Sequence, residues 1–123
     1  MTDKLDIVGI GNAMVDAIIP SNKDEVEKNN LNRDSMNLID EDLKNSLHNN
    51  YSIKEMAGGG SLGNSMFGIT SFGGNGSFIG KIKNDEVGIF LQKDMVREGL
   101  QFPLGFTSPD ISTGCCTIFV EDD

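Results

Sequence analysis

Residues 57–64 read AGGGSLGN, a stretch in which four of eight positions are glycine. Glycine averages about 7% of residues in globular proteins, so this density needs a physical reason. Helix-like and strand-like segments follow the stretch, which argues against a low-complexity linker. Because glycine lacks a Cβ atom, its main-chain N–H groups are open to close approach and its backbone can turn sharply. The stretch therefore predicts a binding site or a set of tight turns.

The length and composition are those of a modest globular unit. The chain has 123 residues, of which 37% are hydrophobic, and this length suits one domain or a piece of a larger one. No run approaches the ~20 apolar residues that a membrane span needs. The N-terminal stretch MTDKLDIVGIG lacks the basic and apolar regions of a secretory signal. We therefore expect no membrane partner and a cytoplasmic location.

Charge and cysteine spacing limit the partners further. A net charge of -9 argues against nucleic acid, whose phosphates require a basic surface. It does not exclude a small anionic ligand, because the N–H groups at a helix N-terminus can hold phosphate without a basic surface. Cys115 and Cys116 are adjacent, so on a strand they point to opposite faces. A bond between them would be strained and their spacing does not suit zinc, so we expect two reduced, partly buried thiols.

Strand and helix patterns alternate along the chain. Apolar runs predict strands at 6–11, 15–20, 36–39, 77–82 and 113–120, and apolar spacings of three and four predict helices at 40–50, 61–72 and 86–99. N-caps are predicted at Asp40, at Ser61 and at Asn84 or Asp85, and Gly99 is expected to end the last helix. Strands separated by helices imply right-handed crossovers. The fold class is therefore α/β with a mostly parallel sheet.

The same patterns assign side chains to the interior or to solvent. The first strand, 6–11, is expected to be buried, because it is a short apolar run closed by glycine. The apolar face of the helix over 61–72 is expected to carry Leu62, Met66, Ile69 and Phe72. The single histidine, His48, lies in a polar helix and is expected to be solvated rather than catalytic.

Two phosphate-binding motifs can be tested against the glycines. The P-loop pattern G-x-x-x-x-G-K-[ST] fails at two positions around the only Gly-Lys pair. The dinucleotide pattern G-x-G-x-x-G occurs as Gly58, Gly60 and Gly63. Asp85 follows roughly twenty residues later, where a ribose-binding acid would stand. The preceding residues SIKEMA are a poor buried strand, because lysine and glutamate break the apolar run. Because the glycine pattern and Asp85 are nevertheless present, a fragment of an NAD-binding oxidoreductase stays open as an alternative.

Three segments together are similar to a known family. They are GIGNAMVDAI (9–18), the glycine-rich part from AGGGSLGN through FIGKIKNDEVG to MVREG (57–99), and STGCCTIFV (112–120). In this order the chain resembles the N-terminal part of the ribokinase-like (phosphofructokinase-B) family of sugar and nucleoside kinases, with details closer to its adenosine kinase-like members. The resemblance implies a mostly parallel sheet with flanking helices and a small β lid. About 15–57 and 103–113 would contribute to the lid, with residues 20–56 as strands.

The resemblance also implies which residues bind the substrate, a sugar or a nucleoside. These residues are Asn12, Asp16, Gly59, Gly60, Ser61 and Asn64. Their chemistry suits a polyol, because hydroxyl recognition needs donors and acceptors that a missing hydroxyl would leave unsatisfied. The Asp16 carboxylate can accept from two adjacent hydroxyls, each asparagine offers a donor and an acceptor, and the glycines expose main-chain N–H groups. Without the family, Asn12 and Asp16 could be ordinary turn and capping residues.

The phosphate chemistry of the family is expected outside this chain. The resemblance places the catalytic base in a later G-A-G-D motif with the ATP and Mg²⁺ sites nearby, and none of that sequence occurs here. No catalytic residue or metal ligand is therefore predicted in residues 1–123, which would be the N-terminal part of one ribokinase-like domain. Because the chain ends directly after a strand, we expect the natural protein to continue beyond Asp123 and this chain alone to be inactive.

The substrate and the assembly are left open. The family pattern prefers other residue types at Leu62 and Met66, and its ribokinase-type members have lysine at the position of Ser61. Neither the sugar or nucleoside nor the phosphorylated hydroxyl is therefore identified. The protein is expected to be a monomer or a homodimer formed through the lid. A non-catalytic domain that binds a small molecule is a further alternative to the kinase.

Overall fold

The computed structural model describes residues 4–122, which form five strands and four helices. In chain order they are β1 (Ile7–Ile10), β2 (Met14–Ser21), α1 (Lys23–Lys28), α2 (Glu41–Asn50), β3 (Glu55–Gly59), α3 (Ser61–Ser71), β4 (Gly76–Ile79), α4 (Glu86–Arg97) and β5 (Gly114–Glu121). None of these four helices is long and apolar enough to cross a membrane. The order of elements confirms the α/β class.

The strands form two sheets. β1 pairs with β4 in parallel, in a register that places Ile7 opposite Gly76. An isolated bridge between Ser77 and Gln101 is parallel as well. The second sheet has the strand order β3-β2-β5. Each of these parallel pairings joins segments that are separated by at least one helix, so the prediction of parallel strands is confirmed for β1 and β4 and for the bridge to Gln101.

The residues divide into two compact units. The first unit comprises residues 4–16 and Ala57–Cys116, and the second comprises Ala17–Met56 and residues 117–122. The first unit holds β1, α3, β4 and α4, and the second holds α1 and α2. Each strand of the β3-β2-β5 sheet has residues in both units.

The core of the first unit forms where α3 and α4 bury one face each. Met66 on α3, Phe78 on β4, Ile82 after β4 and Leu91 on α4 are completely buried. Burying a side chain of this size stabilises a fold by about 1.5–3 kcal/mol. A Cβ atom at Gly9 of β1 would lie only 2.9 Å from the Met66 Sδ. Glycine in β1 therefore lets α3 approach the strand closely.

The boundaries of α4 are those that the sequence predicts. The Asp85 side chain is the N-cap and accepts a hydrogen bond from the Gly88 N–H. Gly99 follows the helix with a φ of +85°, a conformation that glycine adopts without steric cost. Between these ends, Val87 and Met95 are buried on the apolar face.

The second unit is built on two capped helices. Asn22 and Glu25 form a capping box at the start of α1, which satisfies two otherwise unpaired N–H groups. The Asp40 carboxylate accepts from the Leu43 N–H at the start of α2, so the predicted N-cap is confirmed. Leu47 on α2 is buried.

Side-chain contacts close the second unit around β5. The rings of Tyr51 and Phe119 meet edge to face with centroids 5.3 Å apart, and the Asn29 side chain donates to the Tyr51 hydroxyl. The Arg33 guanidinium donates to both carboxylate oxygens of Glu121, at 2.7 and 2.5 Å. These hydrogen bonds hold the pKa of Glu121 below its usual value.

The structure contradicts the expectation that the first strand is buried. Ile7, Val8 and Ile10 of β1 are 40%, 49% and 76% exposed. β1 pairs with β4 at one edge, and no strand within residues 4–122 pairs with its other edge. The apolar run therefore forms a strand, as predicted, but its side chains are not enclosed.

The predicted strand at 36–39 is a loop. Met36 and Leu38 are 84% and 92% exposed. The Asn37 side chain accepts from the Asn32 N–H and donates to the Asn32 carbonyl. Such local side-chain bonds compete with strand pairing, which explains the failure of the prediction.

The residues between β2 and β3 form α1 and α2 rather than the strands that the resemblance implied. The N-caps at Asn22 and Asp40, each followed by acidic residues in the first turn, favour helices in these polar segments.

The segment SIKEMA was a poor candidate for a buried strand, yet β3 begins within it, at Glu55. β3 lies at an edge of its sheet, where a charged residue such as the exposed Glu55 is tolerated.

Two side chains lie in other environments than predicted. Phe72, the C-cap residue that follows α3, is 93% exposed, whereas Met66 is buried as expected. His48 is half-buried rather than solvated, and its Nε2 lies 2.8 Å from the Thr117 Oγ1. A contact between residues this far apart in the chain could not be read from the polar helix alone.

Candidate functional site

A pocket opens at the carboxyl ends of the parallel strands β1 and β4. Its volume is about 620 Å³, and it is lined by residues 10–14, residues 79–81, Leu104 and Gly114. A Cβ atom at Gly114 would lie 2.8 Å from the Ala13 carbonyl oxygen, so glycine is needed where β5 passes this wall. Ligands of open α/β folds bind outside the carboxyl ends of the strands. The pocket therefore lies where this fold class places a binding site.

Asp16 on β2 and Gly59 at the end of β3 are in direct contact. A Cβ atom at Gly59 would lie 2.5 Å from the Asp16 Oδ1 and 2.6 Å from its Oδ2. No side chain fits at this distance, so the Asp16 carboxylate occupies the space that any other residue at 59 would need. Asp16 as a residue is half-buried.

Gly60 turns the chain from β3 into α3. Its φ and ψ are 79° and 151°, a combination that residues with a side chain rarely adopt. A Cβ atom at Gly60 would lie 3.6 Å from the Met14 Cβ and 3.7 Å from the Asn12 carbonyl oxygen. Gly60 is thus adjacent to the part of the pocket wall that contains Asn12.

The start of α3 corrects one prediction. The N-cap is Gly60, not Ser61, and no side chain caps the helix. Ser61 and Asn64 are exposed in the first turn, where the Asn64 N–H donates to the Gly60 carbonyl oxygen at 2.9 Å. The structure therefore brings Asp16 to Gly59 and Asn12 to Gly60, and it places the other two predicted residues at the exposed N-terminus of α3, where the helix dipole is positive.

A buried carboxylate that the sequence reasoning missed contacts the same glycine stretch. Asp94 on α4 is 7% exposed, and its Oδ2 accepts from the Gly58 N–H at 3.1 Å. The Arg97 guanidinium donates to the other carboxylate oxygen. The available signal was an acidic residue on the apolar face of α4, three positions after Leu91 and three before an arginine.

Asp85 does not behave as a ribose ligand. Its Oδ1 accepts from the Gly88 N–H and the Thr113 hydroxyl, both at 2.7 Å, and its Oδ2 accepts from the Thr113 N–H at 3.0 Å. The carboxylate is therefore committed to the protein itself. In addition, the strand before the G-x-G-x-x-G pattern is β3, which lies outside the parallel pair β1–β4. Both observations count against the dinucleotide interpretation.

The two cysteines are half-buried thiols, as predicted. Burial, with a smaller contribution from the negative charge of Asp16, raises the pKa of the Cys116 thiol. A thiol with a pKa above the usual value of about 8.5 is neutral at physiological pH and a weak nucleophile. Among residues 4–122, no group of three or more His, Cys, Asp or Glu side chains is placed to hold a metal ion.

Comparison with known proteins adds a second line of observation. No protein-family model matches the sequence, and the search of curated proteins gave no match. The chain is similar to the crystal structure of adenosine kinase from Sinorhizobium meliloti, with 32% identity over 98% of this chain and a TM-score of 0.79. It is also similar to a probable sugar kinase from Rhizobium etli, with 30% identity over 97% of this chain and a TM-score of 0.75.

More distant structures share the fold. Adenosine kinase from Anopheles gambiae is 24% identical over 94% of this chain, with a TM-score of 0.77. This chain spans 37% of the length of the Sinorhizobium and Anopheles structures and 36% of the Rhizobium structure. The order of the strands and helices and the similarity to these solved structures lead to the same conclusion. The chain has the ribokinase-like fold of adenosine kinases and related sugar kinases, over the N-terminal part of that fold.

Proposed function

We propose that this chain is the substrate-binding part of an ATP-dependent kinase that phosphorylates a hydroxyl group of a sugar or nucleoside. The observation that carries the proposal is the contact of the Asp16 carboxylate with the bare backbone of Gly59. Asp16 lies on β2, whose first residue, Met14, lines the pocket at the carboxyl ends of β1 and β4. The similarity to adenosine and sugar kinases supports the same class of substrate.

Asp16 suits the recognition of a hydroxyl pair. An ionised carboxylate only accepts hydrogen bonds, and its two oxygens can each accept from one of two adjacent hydroxyl groups. Because a buried acceptor that loses its donor costs about 1–3 kcal/mol, such a site discriminates against a ligand that lacks one hydroxyl. Asn12, exposed at the pocket, adds an amide that both donates and accepts.

The start of α3 suits the same ligand. Since no side chain caps this helix, its first N–H groups are available to ligand oxygens, and Ser61 and Asn64 stand beside them. Gly60 keeps the approach free of a side chain. These groups would orient the substrate rather than react with it.

The proposal assigns ATP and Mg²⁺ to other parts of the whole protein. The described residues offer no cluster of metal-binding side chains, and the sequence has no P-loop. When bound, ATP would supply the phosphoryl group and Mg²⁺ would neutralise its charge. The residues present here would bind and orient the acceptor hydroxyl.

Calorimetric titration of the 123-residue chain with adenosine and with D-ribose tests the proposal. We expect saturable binding of at least one of them, and a loss of about 1–3 kcal/mol in binding free energy for Asp16→Asn. Glu86→Gln is the matched control, because it removes an exposed carboxylate of the same unit outside the pocket. Equal losses in both variants would contradict the role of Asp16.

Cofactor titrations separate the proposal from its alternatives. The chain alone should bind neither NAD nor ATP, and in the whole protein Asp16→Asn should weaken nucleoside or sugar binding far more than ATP binding. Saturable NAD binding by the chain that Gly60→Val abolishes would instead support a dinucleotide site. Ligand binding by a whole protein that never transfers phosphate from ATP would support a non-catalytic binding domain.

A further inference from the structure

Asp94 is the buried carboxylate next to the glycine stretch. It lies on α4 beside Leu91 and Met95, which are both buried. A carboxylate in such surroundings is costly unless it is paired and hydrogen-bonded. Arg97, whose side chain is 70% exposed, supplies the positive charge. The remaining partner of Asp94 is a fixed backbone group, the Gly58 N–H.

Gly58 is enclosed between two helices of the first unit. A Cβ atom there would lie 2.7 Å from the Phe67 Cε2 of α3 and 3.0 Å from the Asp94 Oδ2 of α4. β3 is an edge strand with β2 as its neighbour, so N–H groups on its outer side need partners from elsewhere. Asp94 is that partner for Gly58.

Two carboxylates therefore border the glycine stretch, one on each side. The Phe67 ring and, slightly farther away, the Asp94 carboxylate border the space of a Gly58 side chain, whereas Asp16 occupies the space of a Gly59 side chain. Consecutive residues of a strand face opposite sides. Asp16 is half-buried and accessible, whereas Asp94 is buried and bound to Arg97. The two acids thus have different tasks at adjacent positions.

We propose that Asp94 is a positioning residue that fixes Gly58, so that Gly59 stays against Asp16 and Gly60 keeps its positive-φ turn into α3. This inference rests on the proposed function for its effect on ligand affinity. Three consecutive glycines have little steric restraint of their own. A glycine stretch without this bond would have to be ordered by the ligand, and that ordering lowers affinity.

Amide hydrogen exchange of the 123-residue chain tests the bond without any ligand. Asp94→Leu removes the acceptor and keeps a branched side chain with the same number of non-hydrogen atoms, and Asp94→Asn keeps an acceptor oxygen. We expect Gly58 N–H exchange to become about tenfold faster in the leucine variant and to change less in the asparagine variant. Glu86→Gln, which replaces an exposed acid at the opposite end of α4, should leave it unchanged. A folded leucine variant with wild-type Gly58 exchange would overturn the proposal.

If the leucine variant does not fold, the NMR amide spectrum of Asp94→Asn tests the hydrogen bond instead. Replacing a charged acceptor by a neutral one must change the chemical shift of the N–H proton that is hydrogen-bonded to it. Outside residues 92–98, the Gly58 amide proton should therefore change most in Asp94→Asn. If it moves no more than the other amides, the bond does not have the proposed role.

Ligand titration tests the consequence for the site. For whichever of adenosine and D-ribose the wild-type chain binds, we expect about tenfold weaker binding by Asp94→Leu, partial recovery in Asp94→Asn and no change in Glu86→Gln. Faster Gly58 exchange with unchanged affinity would contradict positioning. If the wild-type chain binds neither ligand, the proposed function fails, while hydrogen exchange still decides whether Asp94 orders the glycines.

Discussion

Two strand-to-helix connections of the first unit begin their helices in opposite ways. At the start of α4, Asp85 caps the helix and its two oxygens accept three hydrogen bonds, from the Gly88 N–H and from the N–H and hydroxyl of Thr113. At the start of α3, the N-cap is Gly60 and no side chain accepts from the first turn. One helix N-terminus has a side-chain cap, and the other has none.

The difference separates a structural connection from one that can serve a ligand. A helix start whose N–H groups are already bonded has nothing to offer to a ligand oxygen. An uncapped start keeps its donors and its positive field, at the cost of a missing cap worth about 1 kcal/mol. The space around the glycines of the two helix starts differs in the same way. A Cβ atom at Gly88 would overlap protein atoms, whereas the nearest atom to a Cβ at Gly60, outside its chain neighbours, is 3.6 Å away.

Gly88→Ala should have the largest effect on stability. The new Cβ would overlap the Lys83 carbonyl oxygen and lie 2.7 Å from the Thr113 Oγ1. Because a backbone oxygen cannot move aside, we expect a loss of about 3 kcal/mol in the free energy of unfolding. Urea denaturation measures it. Gly63→Ala is the control, since its Cβ meets nothing within 4 Å inside α3 and should be neutral or stabilising.

Asp85→Ala should cost about 2 kcal/mol, because it removes the N-cap of α4 and leaves two donors of Thr113 without this acceptor. A double-mutant cycle with Thr113→Val checks the mechanism. We expect the double variant to lose less stability than the sum of the two single variants, with a coupling above about 0.5 kcal/mol. Additive losses would show that the cap and Thr113 act independently.

Gly60→Ala should lower both stability and affinity. The conformation with φ of +79° costs a residue with a side chain about 1–2 kcal/mol. Gly73→Ala is the matched control, because Gly73 has φ of +89° and open space around its missing Cβ but lies at the far end of α3. Both variants should lose similar stability, and only Gly60→Ala should weaken adenosine or ribose binding. Equal affinity losses would count against an open, ligand-binding start of α3.

Ser61→Ala should have the smallest effect. Since its side chain caps nothing, the free energy of unfolding should change by less than about 0.5 kcal/mol. Asp40→Ala, which removes a true N-cap from α2, should cost about 1 kcal/mol by comparison. If both variants lost the same stability in thermal and urea unfolding, the contrast between capped and uncapped helices would be wrong.

The features that the sequence predicted well depend on a few neighbouring residues. Asp40, Asp85 and Gly99 are helix ends whose capping contacts lie within four positions, so these capping roles follow from local spacing. The parallel α/β arrangement followed from the alternation of apolar runs and helices. Gly60 instead of Ser61 as N-cap shows the limit of this reasoning, because the choice depended on the φ angle at one glycine.

The features that escaped prediction depend on distant parts of the chain. Asp94 meets Gly58 across 36 positions, and nothing in the local pattern of α4 states which backbone N–H will face it. His48 meets Thr117 across 69 positions. The contact of Asp16 with Gly59 was also beyond local reasoning, although the family resemblance singled out both residues. The exposure of β1 was not predicted, because an apolar run does not reveal whether the strand it forms is paired on one edge or on both.

Tyr51 makes the second unit visible by itself in an optical experiment. The chain has one tyrosine and no tryptophan. The Tyr51 ring packs against Phe119, and its hydroxyl accepts a hydrogen bond from the Asn29 side-chain amide. Tyrosine emission therefore reports the surroundings of the second unit, whereas the first unit, with the proposed site, contributes no such signal. Unfolding followed by this emission and by the amide resonances of Gly58–Gly60 would show whether the two units melt together or in separate steps.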